Sequence, residues 1–218
     1  QGERQLMSNV ARADEELLIA RSQRGDVQAF NQLVLQYQQI LYSAVFRLVG
    51  NHDIASDVTQ DAFFAAFRAI KSYRGGSSFR AWLLRIGTNL ACDHWRRMQR
   101  QRTESLENLT DEEELHSADL LSILATKDPE ENPEAHLLTQ ELQAYIQQGL
   151  QQIPLDQRTA IILCDIEGLA YEEVAEIMQV PLGTVRSRIS RGRTRLRNFL
   201  IQHRELLPRI YRHSANDD

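Results

Sequence analysis

Six arginines stand in the twelve residues from Arg186 to Arg197: Arg186, Arg188, Arg191, Arg193, Arg195 and Arg197. No acid interrupts them between Gln179 and Arg204. Arginine carries a permanent charge on a planar fork, which suits phosphate oxygens and the major-groove edge of guanine. A merely solvated helix usually interleaves the two signs, so a one-sign run points to a polyanion. Yet the 218-residue chain has a formal charge of −5. Its positive charge is therefore collected in places rather than spread.

A second collection runs from Lys71 to Arg102, with Arg74, Arg80, Arg85, Arg96, Arg97 and Arg100 set against Asp93 alone. Tyr73, Phe79, Trp82 and Trp95 lie among these cations. Aromatic faces beside backbone cations are the equipment for gripping unstacked bases of a single strand. Taken singly, Phe79 and Trp82 fit a hydrophobic core better than a stacking platform. Asn89, on an otherwise apolar helix face, fits a base contact or a satisfied buried amide equally. Between the basic stretches the sign reverses, with Asp111, Glu112, Glu113, Glu114, Asp128, Glu130, Glu131 and Glu134 against Lys127.

Other chemistries find little support. The histidines are scattered and do not pair with Cys92 or Cys164 at metal-ligand spacing. Cys92-Asp93-His94 is contiguous, so its side chains diverge on a helix and read as surface residues. Glu172 and Glu173 have no partner base, and phosphate-binding glycine loops are absent from the sequence. A metal-dependent bundle enzyme would need Glu-x-x-His pairs on facing helices, which do not occur. The expectation is a non-enzyme without cofactor or metal. No apolar run reaches the ~18 residues of a membrane span. ELLIA at 16–20 is too short for a secretory core and is flanked by acids. With two cysteines and no CxxC, a reducing cytoplasm is expected.

Apolar residues recur at helical spacing nearly throughout, which predicts an all-α chain. Residues 1–6, which precede Met7, are set aside. Two helices flank the break at Arg24-Gly25-Asp26; the second carries Phe30, Leu33, Val34, Tyr37, Leu41 and Val45. A helix over 54–70 follows, then the loop Tyr73–Ser78, then a long helix over 79–102. Residues 103–134 read as an acidic linker, in which DLLSILA at 119–125 has the pattern of a short docking helix. The domains are accordingly 14–102 and 135–204. In the second, Asp156 is the expected N-cap of a helix over 157–166. Tyr171–Met178, the turn QVPLG and a helix from Thr184 then spell helix-turn-helix. Val174, Ala175, Met178, Val185, Ile189 and Leu196 should face inward. Thr184 is the expected N-cap, and Gly192 should bend or end the helix.

Two blocks of the chain now resemble one family. IPLDQRTAIILCDIEGLAYEEVAEIMQVPLGTVRSRISRGRTRL is similar to region 4 of the extracytoplasmic-function, or group 4, sigma factors of bacterial RNA polymerase. GDVQAFNQLVLQYQQILYSAVFRLVGNHDIASDVTQDAFFAAFRAIKSYRGGSSFRAWLLRIGTNLACDHWRR is similar to region 2. Ala170 departs from the family, which usually has Ser or Thr before Tyr-Glu-Glu; the loss of a cap touches stability more than function.

The resemblance implies three surfaces. Asp57, Gln60, Asp61, Phe64, Phe67 and Lys71 match the helix that docks on the β′ clamp of core polymerase, and region 4 implies a contact with the β flap. Tyr73, Arg74, Ser77, Ser78, Phe79, Trp82 and Asn89 match the element that captures a base of the −10 strand, with Arg96, Arg97 and Arg100 on its backbone. Thr184, Arg186, Ser187, Arg188, Ser190, Arg191 and Arg193 match the −35 helix. The implied partners are core polymerase, promoter DNA and an anti-sigma factor, which in this family often holds the sigma factor at the inner membrane. The rival reading is a stand-alone helix-turn-helix repressor or activator that binds a palindrome as a dimer.

Overall fold

A computed structural model describes residues 2–106 and 133–203, with side chains from residue 13 to 101 and from 141 to 203. All regular structure among the described residues is helical. None of the described helices is long and apolar enough to cross a membrane.

The N-terminal unit holds α1 (Gly2–Gln23), α2 (Val27–Val49), α3 (His52–Ala69) and α4 (Phe79–Leu106). Its helix ends are written in the sequence. Asp26 accepts the N–H groups of Gln28 and Ala29 at 3.0 and 3.1 Å and starts α2. Gly50 ends that helix at φ 75°, its N–H returning to the Phe46 carbonyl at 2.8 Å. Only glycine adopts this conformation cheaply. Asn51 then caps α3 through the Ile54 N–H, and the Ser78 hydroxyl receives the Ala81 N–H to start α4. Leu33, Leu41, Val45, Leu48, Leu83 and Leu84 are buried together. Ala55, Ala62, Ala66 and Gly87 let the helix backbones approach; a Cβ on Gly87 would meet Leu41 Cδ1 at 2.5 Å. Burial of each large side chain is worth about 1.5–3 kcal/mol.

The C-terminal unit comprises α5 (Pro133–Gln151), α6 (Leu155–Ile161), α7 (Tyr171–Met178) and α8 (Leu182–Gln202). Helix α6 passes directly into a π-helical turn, Ile162–Ile166, which the apolar pattern does not distinguish from α-helix. The N-cap of α6 is Pro154, and Asp156 lies inside the first turn, so the expected cap at Asp156 is corrected. Helix α4 runs to Leu106 and α5 begins at Pro133, each just inside the bounds 103–134 expected for the linker. The segment 119–125 lies outside the described residues.

The two units share one core. Cys92 is correspondingly not a surface residue: it is half-buried, its sulfur 3.6 Å from the Thr159 hydroxyl of α6. Burial pushes its thiol pKa up.

Candidate nucleic-acid interface

Helix α8 is set by the turn that precedes it. Gln179 adopts φ 55°, and the Val180 N–H returns to the Ala175 carbonyl at 3.1 Å. Pro181 then fixes the first helical turn, so α8 starts at Leu182. Thr184 therefore sits within that turn and does not cap it; its carbonyl accepts the Ser187 hydroxyl at 2.9 Å. Val174 and Ile177 of α7 meet Val185 and Ile189 of α8 in the core, with Ala175, Met178 and Leu196 half-buried around them. Ile177, beyond the expected positions, completes this inward set. At Ala170 the missing cap side chain is partly replaced, because Glu173 accepts the Ala170 N–H at 3.0 Å.

Gly192 does not end α8, which continues to Gln202. It is buried, and a Cβ there would meet Ile161 Cδ1 at 2.5 Å and the Gln157 carbonyl at 3.3 Å. The glycine is there for the approach of α6.

This packing leaves Arg186, Ser187, Ser190, Arg191 and Arg193 exposed. They differ in freedom. Arg193 forks onto Asp165 at 2.6 and 2.9 Å, a hydrogen bond that holds its guanidinium pKa above the ordinary value. Arg188 is only partly exposed and pairs with Asp156 at 3.0 Å. Of the arginines assigned to base reading, Arg188 is thus turned back toward the protein.

The second surface is built on the loop between α3 and α4. The Tyr73 hydroxyl donates to the Ser77 carbonyl at 2.7 Å and closes the loop on itself. Gln23 ties it to α1 by donating to the carbonyls of Ile70 and Tyr73. Tyr73 meets Phe79 edge-on at 5.6 Å and lies 5.3 Å from Trp82. Phe79 is fully buried as core and forms part of the wall of the cavity beside the loop. Tyr73, Arg74, Ser77 and Ser78 line that cavity, of about 970 Å³, together with Glu15 and Glu173. Along α4, Asn89, Arg96, Arg97 and Arg100 are exposed, which resolves Asn89 as a surface amide. Asp93 pairs with Arg96 at 3.0 Å, and its carbonyl receives Arg97.

The third surface lies on α3. Asp57, Gln60, Asp61 and Lys71 are exposed, and Phe64 is 56% exposed. Phe67 turns under them onto Phe30 at 4.9 Å. Between α2 and α3 an apolar groove of about 640 Å³ is lined by Val27, Phe30, Val34, Phe63, Phe64 and Phe67. The α2 side of this groove was not read from the sequence, where Val27 and Val34 look like ordinary core positions.

Comparison with known proteins decides what these surfaces belong to. Residues 33–101 match the family model of Sigma-70 region 2, and residues 143–196 match that of Sigma-70, region 4. The RNA polymerase sigma-H factor of Pseudomonas aeruginosa is 41% identical over 179 residues, 82% of this chain and 90% of its own. The chain belongs to the extracytoplasmic-function sigma factors. The ECF RNA polymerase sigma-E factor of Escherichia coli K12 is 39% identical over 184 residues, 84% of this chain and 93% of its own. Among solved structures, the sigma factor RpoE of Bartonella quintana in complex with the anti-sigma factor NepR is 27% identical, with a TM-score of 0.58 over 79% of this chain and 96% of its own. CnrH in complex with the cytosolic domain of CnrY, at 24% identity and a TM-score of 0.59 over 87% of this chain and 98% of its own, shares the fold. This sigma factor directs promoter recognition by RNA polymerase, and the chemistry of RNA synthesis belongs to the polymerase. The stand-alone repressor reading is set aside, because region 2 accompanies the helix-turn-helix.

Proposed function

We propose that the three surfaces divide the work of promoter recognition. The exposed face of α3 around Phe64, with the groove beside it, seats the β′ clamp of core polymerase, and the C-terminal unit meets the β flap. The Tyr73–Ser78 loop takes an unstacked base of the −10 strand into its cavity, while Trp82 supports Tyr73 from behind and Asn89 offers an amide to a base edge. Arg96, Arg97 and Arg100 track the adjoining phosphates. On α8, Arg186 and Arg191 read the −35 duplex, with Ser187 and Ser190 beside them and Arg193 on phosphate.

The observation that carries this division is the segregation of faces on α8: its apolar residues are buried against α7 while Arg186, Ser187, Ser190 and Arg191 point to solvent. Regulation by an anti-sigma factor is supported by the solved relative that is bound to one, and a cytoplasmic workplace follows from the polymerase it serves. Run-off transcription with purified core polymerase tests the proposal. Core polymerase plus this protein should yield a promoter-specific transcript that core polymerase alone does not.

A further inference from the structure

Helix α1 forms one wall of the cavity beside the Tyr73–Ser78 loop. Glu15, Ile19 and Gln23 recur at helical spacing, so one stripe of that helix faces the loop. Gln23 tethers the loop, its amide donating to the Ile70 carbonyl at 3.2 Å and to that of Tyr73 at 2.8 Å. Nearer the N-terminus, the Glu15 carboxylate accepts the hydroxyl of Tyr37. Burial, and then the hydrogen bond to Glu15, push the Tyr37 phenol pKa up, so the hydroxyl keeps its proton and donates. The Tyr37 ring lies 5.4 Å from buried Phe79, whose ring meets Tyr73 of the loop. The carboxylate is thus held in register with the loop through three packed rings.

A carboxylate aimed in this way can read a base. The tyrosine hydroxyl uses one of its lone pairs; the rest accept and have no proton to give. The other acids on the cavity are placed differently. Glu16 is exposed, and Glu173 is spent on its own helix, where it accepts the Ala170 N–H. Bases divide by what they present at the exocyclic position. Cytosine N4 and adenine N6 are amino donors, whereas thymine O4 and guanine O6 are carbonyl acceptors. A carboxylate oxygen at that position bonds the first pair and repels the second, because two acceptors share no proton. The same charge turns phosphate away from the interior. Arg74, exposed on the loop, remains for the backbone.

We propose that Glu15, positioned by Tyr37, makes this pocket select an amino base, cytosine or adenine, over a keto base, thymine or guanine. Specificity at the captured position then depends on α1, a helix outside the loop. The inference rests on the reading of this cavity as the −10 base pocket.

The test is the rate of open-complex formation by holoenzyme containing the full-length chain. Promoters carry each of the four bases in turn at every −10 position of the non-template strand. At one position the wild type should open cytosine or adenine promoters at least tenfold faster than thymine and guanine promoters. The faster of the two amino arms identifies the base. Glu15→Gln keeps an oxygen for Tyr37 but offers the base an amide N–H, so the ratio should fall within threefold at that position alone. Tyr37→Phe leaves the carboxylate without its aim and should lower the same ratio by a smaller factor. A purely structural role would slow all promoters alike. Glu16→Gln and Glu173→Gln should keep the wild-type ratio. The proposal is overturned by a wild type that shows no amino-over-keto preference at any position, or by an unchanged ratio in Glu15→Gln. An unchanged ratio in Tyr37→Phe removes Tyr37 as the positioning residue. Preference lost in Tyr73→Ala but kept in Glu15→Gln would leave the pocket standing and sink its α1 wall; preference kept in both would count against the pocket itself.

Discussion

Arg193 of α8 is clamped by both oxygens of Asp165, a residue of the π-helical turn that follows α6. The turn thus aims a cation that the helix alone would leave free. An exposed pair of this kind contributes little to stability, about 0–1 kcal/mol. Its effect should appear in binding. Asp165→Asn should leave thermal unfolding nearly unchanged while altering the salt dependence of promoter binding by about one phosphate contact. Fluorescence anisotropy of holoenzyme on a promoter duplex, run over a series of salt concentrations, measures that slope. A slope that matches wild type would remove Arg193 from the phosphate contacts.

Arg186 and Arg191 are exposed on α8 and, among the described residues, have no carboxylate partners like those of Arg188 and Arg193. Replacement by alanine separates their roles. Loss of a bidentate base contact costs about 1–3 kcal/mol and relaxes preference at one base pair; loss of a phosphate contact weakens all sequences alike. Transcription from promoters substituted singly through the −35 element reads the difference. Full activity of both variants on the matched promoter would remove α8 from DNA recognition.

Arg158 should matter for folding. Arg158→Ala leaves buried carbonyls of Leu48, Gln151 and Ile153 without a donor, a loss of about 3 kcal/mol. For a chain of this size that lowers the melting temperature by about 6–12 °C. Burial depresses the guanidinium pKa to about 10. Its cost is therefore fully in place below about 10 and fades only as the pH rises beyond that value. Between about pH 6 and 8 both folded and unfolded chains carry the charge, so the gap in melting temperature between wild type and Arg158→Ala should stay constant there. A gap that varies across that range would assign the effect to another titrating group.

These contacts mark where the sequence was legible and where it was not. Apolar periodicity and turn residues revealed α2, α3, α7 and α8, because half-buried helices must repeat near 3.6 residues. The arginine run marked the exposed basic face of α8 for a comparable reason, since a one-sign cluster is unfavourable without a polyanion. The seam between the units left no such trace. Gln147, Gln151 and Arg158 look like surface residues in a sequence, and their acceptors are backbone carbonyls that no residue type encodes. Thr184 misled because Pro181 had already fixed the helix start. Gly192 misled because its propensity cost is visible in sequence while its close approach to Ile161 is not.

Gly192→Ala places two effects in opposition. Alanine gains about 1 kcal/mol in helix propensity. Its Cβ, however, must displace buried Ile161, and the Gln157 carbonyl leaves little room behind it; overpacking of that kind costs about 1–3 kcal/mol. The packing term should win, with a net loss of about 1 kcal/mol. Chemical denaturation of the full chain measures it. A stabilised variant would mean that α6 yields to α8 more readily than its packing implies.

On the proposed division of surfaces, the stretch between Leu106 and Pro133 has to span from the −10 element to the −35 element. Fully extended it reaches about 90 Å, at about 3.3–3.6 Å per residue, which matches the roughly 85 Å between promoter elements. Removal of 15 residues cuts that reach to about 40 Å. Linked sites cooperate only when the tether spans both of them, so the deletion should abolish transcription from a two-element promoter. Binding to core polymerase should survive, because the α3 surface needs no linker. Neutralising Asp111, Glu112, Glu113 and Glu114 keeps the reach and removes the charge. That variant should bind the promoter like wild type, and any change should appear in the yield of abortive transcripts, as expected if the acids lie along a nucleic-acid channel of the polymerase. Gel-resolved run-off and abortive products from the two variants, side by side, distinguish reach from charge. Wild-type transcription by the shortened chain would show that the two units need not separate across the promoter.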